Sequence, residues 1–359
     1  MLKKVSTLGL LGVLAGAAPA AATYSHVVVV VEENRDASDF IGNTASAPYL
    51  NNVLVPMGTV LANSLAIGHP SQPNYLQLFS GSAQMTQGSD GPVPGSLAPA
   101  GAPATGSGLN QPNLGASIQQ VGGTYATYSE NLSSASDPLA YSAGGSSGAL
   151  YARKHNPGSD FIAVNPTGYQ LSGTANQDLS AFQSTAFSDL PSLSFVIPNQ
   201  CNDAHGTTQC PNSGSGYQIN IGLADAFLKN NLGAYAQWAQ SNNSLLIVTT
   251  DEGNTTVGTD PATGLALTRI ATLVLGQGIN QGATYGGAVD EYGLCAFIAG
   301  AAGNGAQPPS ACGTSASVGQ AYSLASAIGA DIAVPEPASI GVLFSGLIGV
   351  GALRRRRRA

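Results

Sequence analysis

The chain has 359 residues, 43% of them hydrophobic and only 9% charged, with 46 glycines and 21 prolines. Its 12 Lys and Arg against 19 Asp and Glu give a net charge of −7, which excludes a basic surface and with it nucleic-acid recognition through phosphate contacts. With both ends set aside, five basic residues (Arg35, Arg153, Lys154, Lys229, Arg269) face 18 acidic ones, a net charge of −13.

Met1 to Ala22 carries Lys3 and Lys4, an apolar stretch from Leu8 to Val13, and the small-residue run Ala17-Ala18-Pro19-Ala20-Ala21-Ala22. That order of charge, apolar core and small residues reads as a secretory signal peptide, too short for a good membrane span. The mature chain is expected to start near Thr23 and to be exported.

His26 to Val31 is a short, β-branched, unalternating run, the pattern of a buried parallel strand, and it leads into Glu33 and Asn34. Leu193 to Ile197, Leu245 to Val248 and Ile270 to Leu275 also read as strands; Ile221 to Leu232 and Tyr322 to Ile328 read as helices. Leu245 to Val248 leads into Asp251 and Glu252. Ligands of open α/β sheets collect beyond the carboxyl ends of the strands, so both oxygen-bearing pairs are expected to face one crevice. Three carboxylates and an amide oxygen repel one another there unless a cation sits between them, and a hard divalent metal suits oxygen donors. That grouping points to a metal-dependent hydrolase. Strand-like runs are scattered from Thr23 to Ala333 with no break, which predicts one large α/β domain over residues 23–333.

In Gly68-His69-Pro70-Ser71-Gln72-Pro73-Asn74-Tyr75 two prolines flank Ser71 and narrow its backbone range, presenting the hydroxyl as a nucleophile; a helix cap would look the same. Gln87 to Gly108 is dense in Gly, Pro, Ser and Ala and reads as a long surface loop, either a flap beside the site or a linker. His155 lies in the densest positive cluster, Arg153-Lys154-His155, which suggests anion contact or a solvated face. His205, in a glycine-flanked loop after a strand, can hydrogen-bond an oxyanion or protonate a leaving group. His26 reads as structural.

Four cysteines fit an oxidising compartment, and spacing favours Cys201 with Cys210 and Cys295 with Cys312, although three pairings are open. Zinc ligation is disfavoured, since no Cys-x-x-Cys occurs. Val334-Pro335-Glu336-Pro337, an apolar stretch from Ala338 to Leu353 and Arg354 to Arg358 resemble the PEP-CTERM sorting tail of exported bacterial proteins. That resemblance implies a tail at residues 334–359, transient anchoring in a membrane, and processing by an exosortase-type membrane protease. An ordinary C-terminal anchor oriented by its arginines would share those features.

Five motifs then stand in order: Glu32-Glu33-Asn34; His69-Pro70-Ser71-Gln72-Pro73-Asn74-Tyr75; Tyr151-Ala152-Arg153-Lys154-His155-Asn156-Pro157; Pro198-Asn199 followed by Asp203-Ala204-His205; and Thr250-Asp251-Glu252-Gly253. Together, over about Tyr24 to Ala299, the chain resembles the phosphoesterase family of acid phosphatases and phospholipases C, within the alkaline phosphatase superfamily. The resemblance implies an alkaline phosphatase-like α/β fold with a mostly parallel central sheet flanked by helices. It implies Glu33, Asn34, Asp251, Glu252 and Ser71 as metal ligands, Ser71 as a nucleophile that becomes phosphorylated, and Asn74 and the catalytic His205 as groups that hold the transferred phosphoryl. Asn34, Asn74, His69 and His155 are implied at the substrate. The few histidines favour one oxygen-bound metal, Ca²⁺ or Mg²⁺, over a zinc pair. A small phosphoester is the expected substrate and a phosphomonoesterase the expected activity. The alternatives are a phospholipase C or other phosphodiesterase, and a non-catalytic surface or matrix protein on the same fold.

Overall fold

A computed structural model describes residues 24–90, 93, 108–132, 150–211, 217–303 and 306–333. The expected signal segment, the sorting tail and most of the 87–108 loop lie outside the described residues.

The strands are β1 (His26–Glu32), β2 (Gly58–Leu61), β3 (Ser64–Ile67), β4 (Tyr125–Ser129), β5 (Ile162–Ala163), β6 (Leu171–Ser172), β7 (Asn176–Asp178), β8 (Leu193–Ile197), β9 (Ser244–Thr250), β10 (Thr256–Thr259), β11 (Ala266–Ile270), β12 (Thr272–Gly276), β13 (Ala283–Tyr285) and β14 (Val289–Asp290). The α-helices are α1 (Ala37–Phe40), α2 (Ser71–Ser80), α3 (Leu114–Gln120), α4 (Leu179–Ser184), α5 (Tyr217–Phe227), α6 (Gly233–Ala239), α7 (Glu291–Ala302) and α8 (Ser315–Ile328).

Eight strands make the central sheet in the order β13-β2-β12-β9-β1-β8-β4-β7. β1 pairs parallel with β8 and β9, and β4 pairs parallel with β7 and β8. Among the described residues β12 alone runs against the rest, antiparallel to β9 and β2. A four-stranded sheet, β10-β11-β3-β14, carries β3 into the start of α2.

The valine run of β1 needs no polar alternation because both of its faces are covered. Val27, Val29 and Val31 pack with α2, α7 and α8, whereas Val28 and Val30 pack with α5 and α6; all five are fully buried. Burial of each side chain contributes about 1.5–3 kcal/mol, so this strand is a fixed platform for the Glu33-Asn34 loop at its end. The result is the expected α/β architecture, a mostly parallel sheet between two helical layers.

Some expected elements take different bounds. Ile270 to Leu275 is two strands: Ile270 ends β11 opposite Ser64, and Thr272 begins β12 opposite Thr249. The chain changes sheets at Ala271, which an apolar run cannot signal. Ile221 to Leu232 falls within α5 and a π-helical turn directly after it, Leu228–Leu232. Tyr322 to Ile328 is the end of α8, which starts after Thr314, whose side chain accepts from Ser317 N, and stops at Gly329 in the left-handed region, φ 81°. α2 and α7 carry no apolar stripe because α2 is buried all round and α7 nearly so. The disulfides Cys201–Cys210 and Cys295–Cys312 are the pairs that spacing favoured. Among the described residues no helix is long and apolar enough to cross a membrane.

Candidate active site

Parallel pairing sets Glu32 of β1 opposite Thr250 of β9, so the two strands leave the sheet side by side. Asp251 N donates to Glu32 O at 3.0 Å, and Asn34 N donates to Asp251 Oδ1 at 2.9 Å. Asn34 sits in the left-handed region, φ 33°, a costly conformation for a residue with a side chain. Gly253 lets the β9 loop pass against the β1 loop, since a Cβ there would lie 2.6 Å from Asp36 Oδ1 and 2.9 Å from Arg269 O.

Ser71, the first residue of α2, points into this junction and is buried. Its Oγ lies 3.1 Å from Glu33 Oε2, 3.1 Å from Asn34 Oδ1 and 3.4 Å from Glu252 Oε1. A hydroxyl carries one hydrogen, so at most one of these contacts is a hydrogen bond at any moment. The remaining contacts set lone pairs against lone pairs. Burial, together with the charges of Glu33 and Glu252, pushes the Asp251 carboxyl well above its usual range; burial and the Glu33 and Asp90 charges also raise Glu252. The cluster is short of positive charge, and its all-oxygen donor set fits a hard divalent cation. Among the described residues no group of three Asp, Glu, His or Cys side chains stands in ready metal-ligand geometry; the oxygens converge on the serine hydroxyl instead.

Asn74 and His69 both address Glu252 Oε2, Asn74 Nδ2 at 3.1 Å and His69 Nδ1 at 2.8 Å. Asn74 is fully buried and also donates to Gly68 O at 3.2 Å, whereas the His69 side chain is 42% exposed at the rim.

His155 lies behind Glu33. Its Nε2 is 3.0 Å from Glu33 Oε1 and its Nδ1 is 3.4 Å from Asp203 Oδ2, with all three side chains buried. Tyr75 of α2 stacks on the ring, centroids 5.2 Å apart at 8°. Burial alone would lower the imidazole pKa, but the Glu33 and Asp203 carboxylates outweigh it and raise it to about 9. Burial alone would also raise Glu33, yet the charges of His155, Lys154 and His205 hold it below its usual range. The positive cluster is thus turned inward: Arg153 pairs with Asp160, and Lys154 Nζ pairs with Asp90 Oδ2 at 2.7 Å. Asp90 Oδ1 accepts from Gln72 N at 3.0 Å and so caps α2 beside Ser71.

His205 is half-buried. Its backbone N donates to Asp203 Oδ1 at 2.8 Å, its Nδ1 donates to Gly206 O at 2.9 Å, and its ring centroid is 6.4 Å from that of His155. The Cys201–Cys210 disulfide closes the loop that carries Asp203 and His205.

Glu33, Asn34, Ser71, Asn74, Asp251, Glu252 and His69 therefore surround one point, with His155 in a layer behind Glu33 and His205 beside it. Asp203, Tyr75 and Asp90 belong to the same network and were not singled out in the sequence. Asp203 and Tyr75 had a signal, since each stands in one of the five motifs; Asp90 had none.

The family model described as "Phosphoesterase family" matches residues 47–301, a span that begins after Glu33 and Asn34. Phosphatidylinositol-3-phosphatase of Mycobacterium tuberculosis is 36% identical over 283 residues, covering 79% of this chain and 78% of that protein. Among solved structures, a protein in the alkaline phosphatase superfamily from Vibrio parahaemolyticus is similar with a TM-score of 0.47 and 13% identity, over 87% of this chain and 68% of that one. A phosphonate monoester hydrolase from Silicibacter pomeroyi is similar with a TM-score of 0.43 and 11% identity, over 76% and 72%.

Proposed function

Because the chain belongs to the phosphoesterase family and is a hydrolase of phosphoric esters, we propose that it is a phosphomonoesterase working through a phosphoserine at Ser71. One observation carries the reading: the Ser71 hydroxyl opens α2 within 3.1–3.4 Å of oxygens from Glu33, Asn34 and Glu252. The name of the Mycobacterium tuberculosis relative specifies a 3-phosphate on a phosphatidylinositol, a monoester, which supports a monoester over a diester.

In this reading Ser71 Oγ attacks phosphorus, the ester oxygen departs, and the hydroxyl proton passes to the facing carboxylate Glu252 Oε1. The amide of Asn34 serves the phosphoryl group. Asn74 holds Glu252 in place while reaching the same crevice. His205, whose Nδ1 is committed to Gly206 O, serves through Nε2 when the ring is doubly protonated, donating to a phosphoryl oxygen or passing that proton to the departing alkoxide. His155 keeps Glu33 ionised and aimed, and His69 stands at the mouth. Glu33, Asn34, Asp251, Glu252 and Ser71 Oγ would hold one divalent ion, Ca²⁺ or Mg²⁺. When bound, that ion lowers the hydroxyl pKa and draws charge from the phosphoryl oxygens. Water then attacks the phosphoserine and releases phosphate. Export through the N-terminal segment, with transient anchoring by the C-terminal one, completes the proposal and agrees with two disulfides.

The test is phosphate release from p-nitrophenyl phosphate and phosphatidylinositol 3-phosphate and diacylglycerol release from phosphatidylcholine, with and without EDTA. Monoester turnover that depends on metal and is lost in Ser71→Ala is the expected result. Diacylglycerol release with poor monoester turnover replaces this reading by a phospholipase C. The absence of both bound metal and hydrolysis replaces it by a non-catalytic protein.

A further inference from the structure

Arg35 comes directly after the site residues Glu33 and Asn34 and is buried to 8% exposure, which is unusual for a guanidinium. Its Nη1 donates to Asn34 O at 2.8 Å, and its Nη2 donates to Ala204 O and, at 3.4 Å, to His205 O. One planar group thus joins two loops that leave the sheet from β1 and β8, 170 residues apart in sequence. Both loops are held in costly backbone conformations at the contact, with φ 33° at Asn34 and φ 77° at Ala204. Such conformations persist only when their surroundings over-determine them. Asn254 Nδ2 also donates to Asn34 O at 3.0 Å, so the peptide after Asn34 is fixed from two sides.

We infer that Arg35 is a positioning residue: it sets the distance and orientation between the Asn34 amide and the His205 imidazole by donating to the carbonyls of both loops. Guanidinium is suited to this because its planar fork presents several donors at fixed angles, whereas an ammonium is a compact point charge. The contact is made to backbone carbonyls and not to the Asn34 or His205 side chain. Loss of Arg35 therefore misaligns two groups without removing either, which predicts a fall in kcat larger than the change in KM.

The kinetic half of the test rests on the phosphomonoesterase reading, and the structural half does not. With p-nitrophenyl phosphate, Arg35→Ala is expected to lose about 10–100-fold in kcat, the usual cost of removing an outer partner of a site residue, with KM moving less. Millimolar guanidinium is expected to restore part of that loss, and Arg35→Lys to retain less activity than rescued Arg35→Ala. Hydrogen exchange at the amides of residues 203–206 is expected to quicken in Arg35→Ala and to slow again with guanidinium. Wild-type kcat together with unchanged exchange in a folded Arg35→Ala would overturn the inference. So would activity that falls only in step with folded protein and is not rescued. If Arg35→Ala does not fold, Arg35→Lys and Arg35→Gln carry the same comparison. A wild-type chain that hydrolyses no phosphoester defeats the functional reading, while the exchange result still decides the role of Arg35.

Discussion

His155 Nε2 stands 3.0 Å from Glu33 Oε1, with both side chains sealed from water. Breaking a buried pair by removing one partner typically costs about 3–5 kcal/mol, because the other charge is left unpaired. His155→Ala is therefore expected to lose stability on that scale in urea denaturation measured in EDTA. Added Ca²⁺ or Mg²⁺ should return part of the loss, since a cation at Glu33 supplies the missing positive charge; no recovery would count against Glu33 as a metal ligand.

Asp203 serves two histidines through its two oxygens. Asp203→Asn keeps the shape but removes the charge behind His155 and leaves one acceptor oxygen where two served, so His155 Nδ1 and His205 N cannot both keep their partner. Activity on a monoester is expected to fall about 10–100-fold, as for other outer partners of site groups. A value within a factor of two of wild type would remove Asp203 from the network.

Removing Ser71 removes the one hydroxyl at the centre of the cluster. Ser71→Ala is expected to lower kcat by at least about three orders of magnitude, in line with nucleophile deletions elsewhere. Rapid-quench trapping of a phosphoprotein in the wild type, and its absence in this variant, is the direct check.

Metal should act on the fold as well as on turnover. A ligand at 100 times its dissociation constant stabilises by about 2.7 kcal/mol. Melting temperature is expected to rise with Ca²⁺ or Mg²⁺ and to return to baseline in EDTA, and Glu252→Gln should blunt the response. A melting temperature indifferent to both ions would count against the oxygen cradle.

Glu291 gives the pH prediction. It opens α7 buried, and Ile67 N donates to its Oε2 at 3.2 Å. Burial first, and the charges of Asp290 and Glu252 after it, push its pKa well above 4.5. An acid whose pKa is raised on folding contributes its full stability below the unfolded value, and that contribution is lost as pH rises above it. Glu291→Gln keeps the acceptor for Ile67 N and removes the titration. It should match wild type near pH 4 and be the more stable protein at neutral pH, with the gap in melting temperature widening from pH 4.5 upward. A gap that stays constant with pH would show that Glu291 does not titrate in this range.

Local chemistry determined much of this protein. The valine run of β1 declared a strand covered on both faces. The pairs Glu33-Asn34 and Asp251-Glu252 declared oxygen donors at two strand ends, and cysteine spacing pointed to both disulfides. These features are readable because side-chain type and short-range period are properties of neighbouring residues. Only the tertiary structure decided that Arg153, Lys154 and His155 turn inward to Asp160, Asp90, Glu33 and Asp203, and that the chain changes sheets at Ala271. It also placed Tyr75 on His155 and Arg35 between Asn34 and Ala204. Those partners come from different strands and helices, and a charge run looks the same in sequence whether it meets water or buried carboxylates. Which of the two it meets depends on packing between segments far apart in the chain, and that packing set the geometry around Ser71.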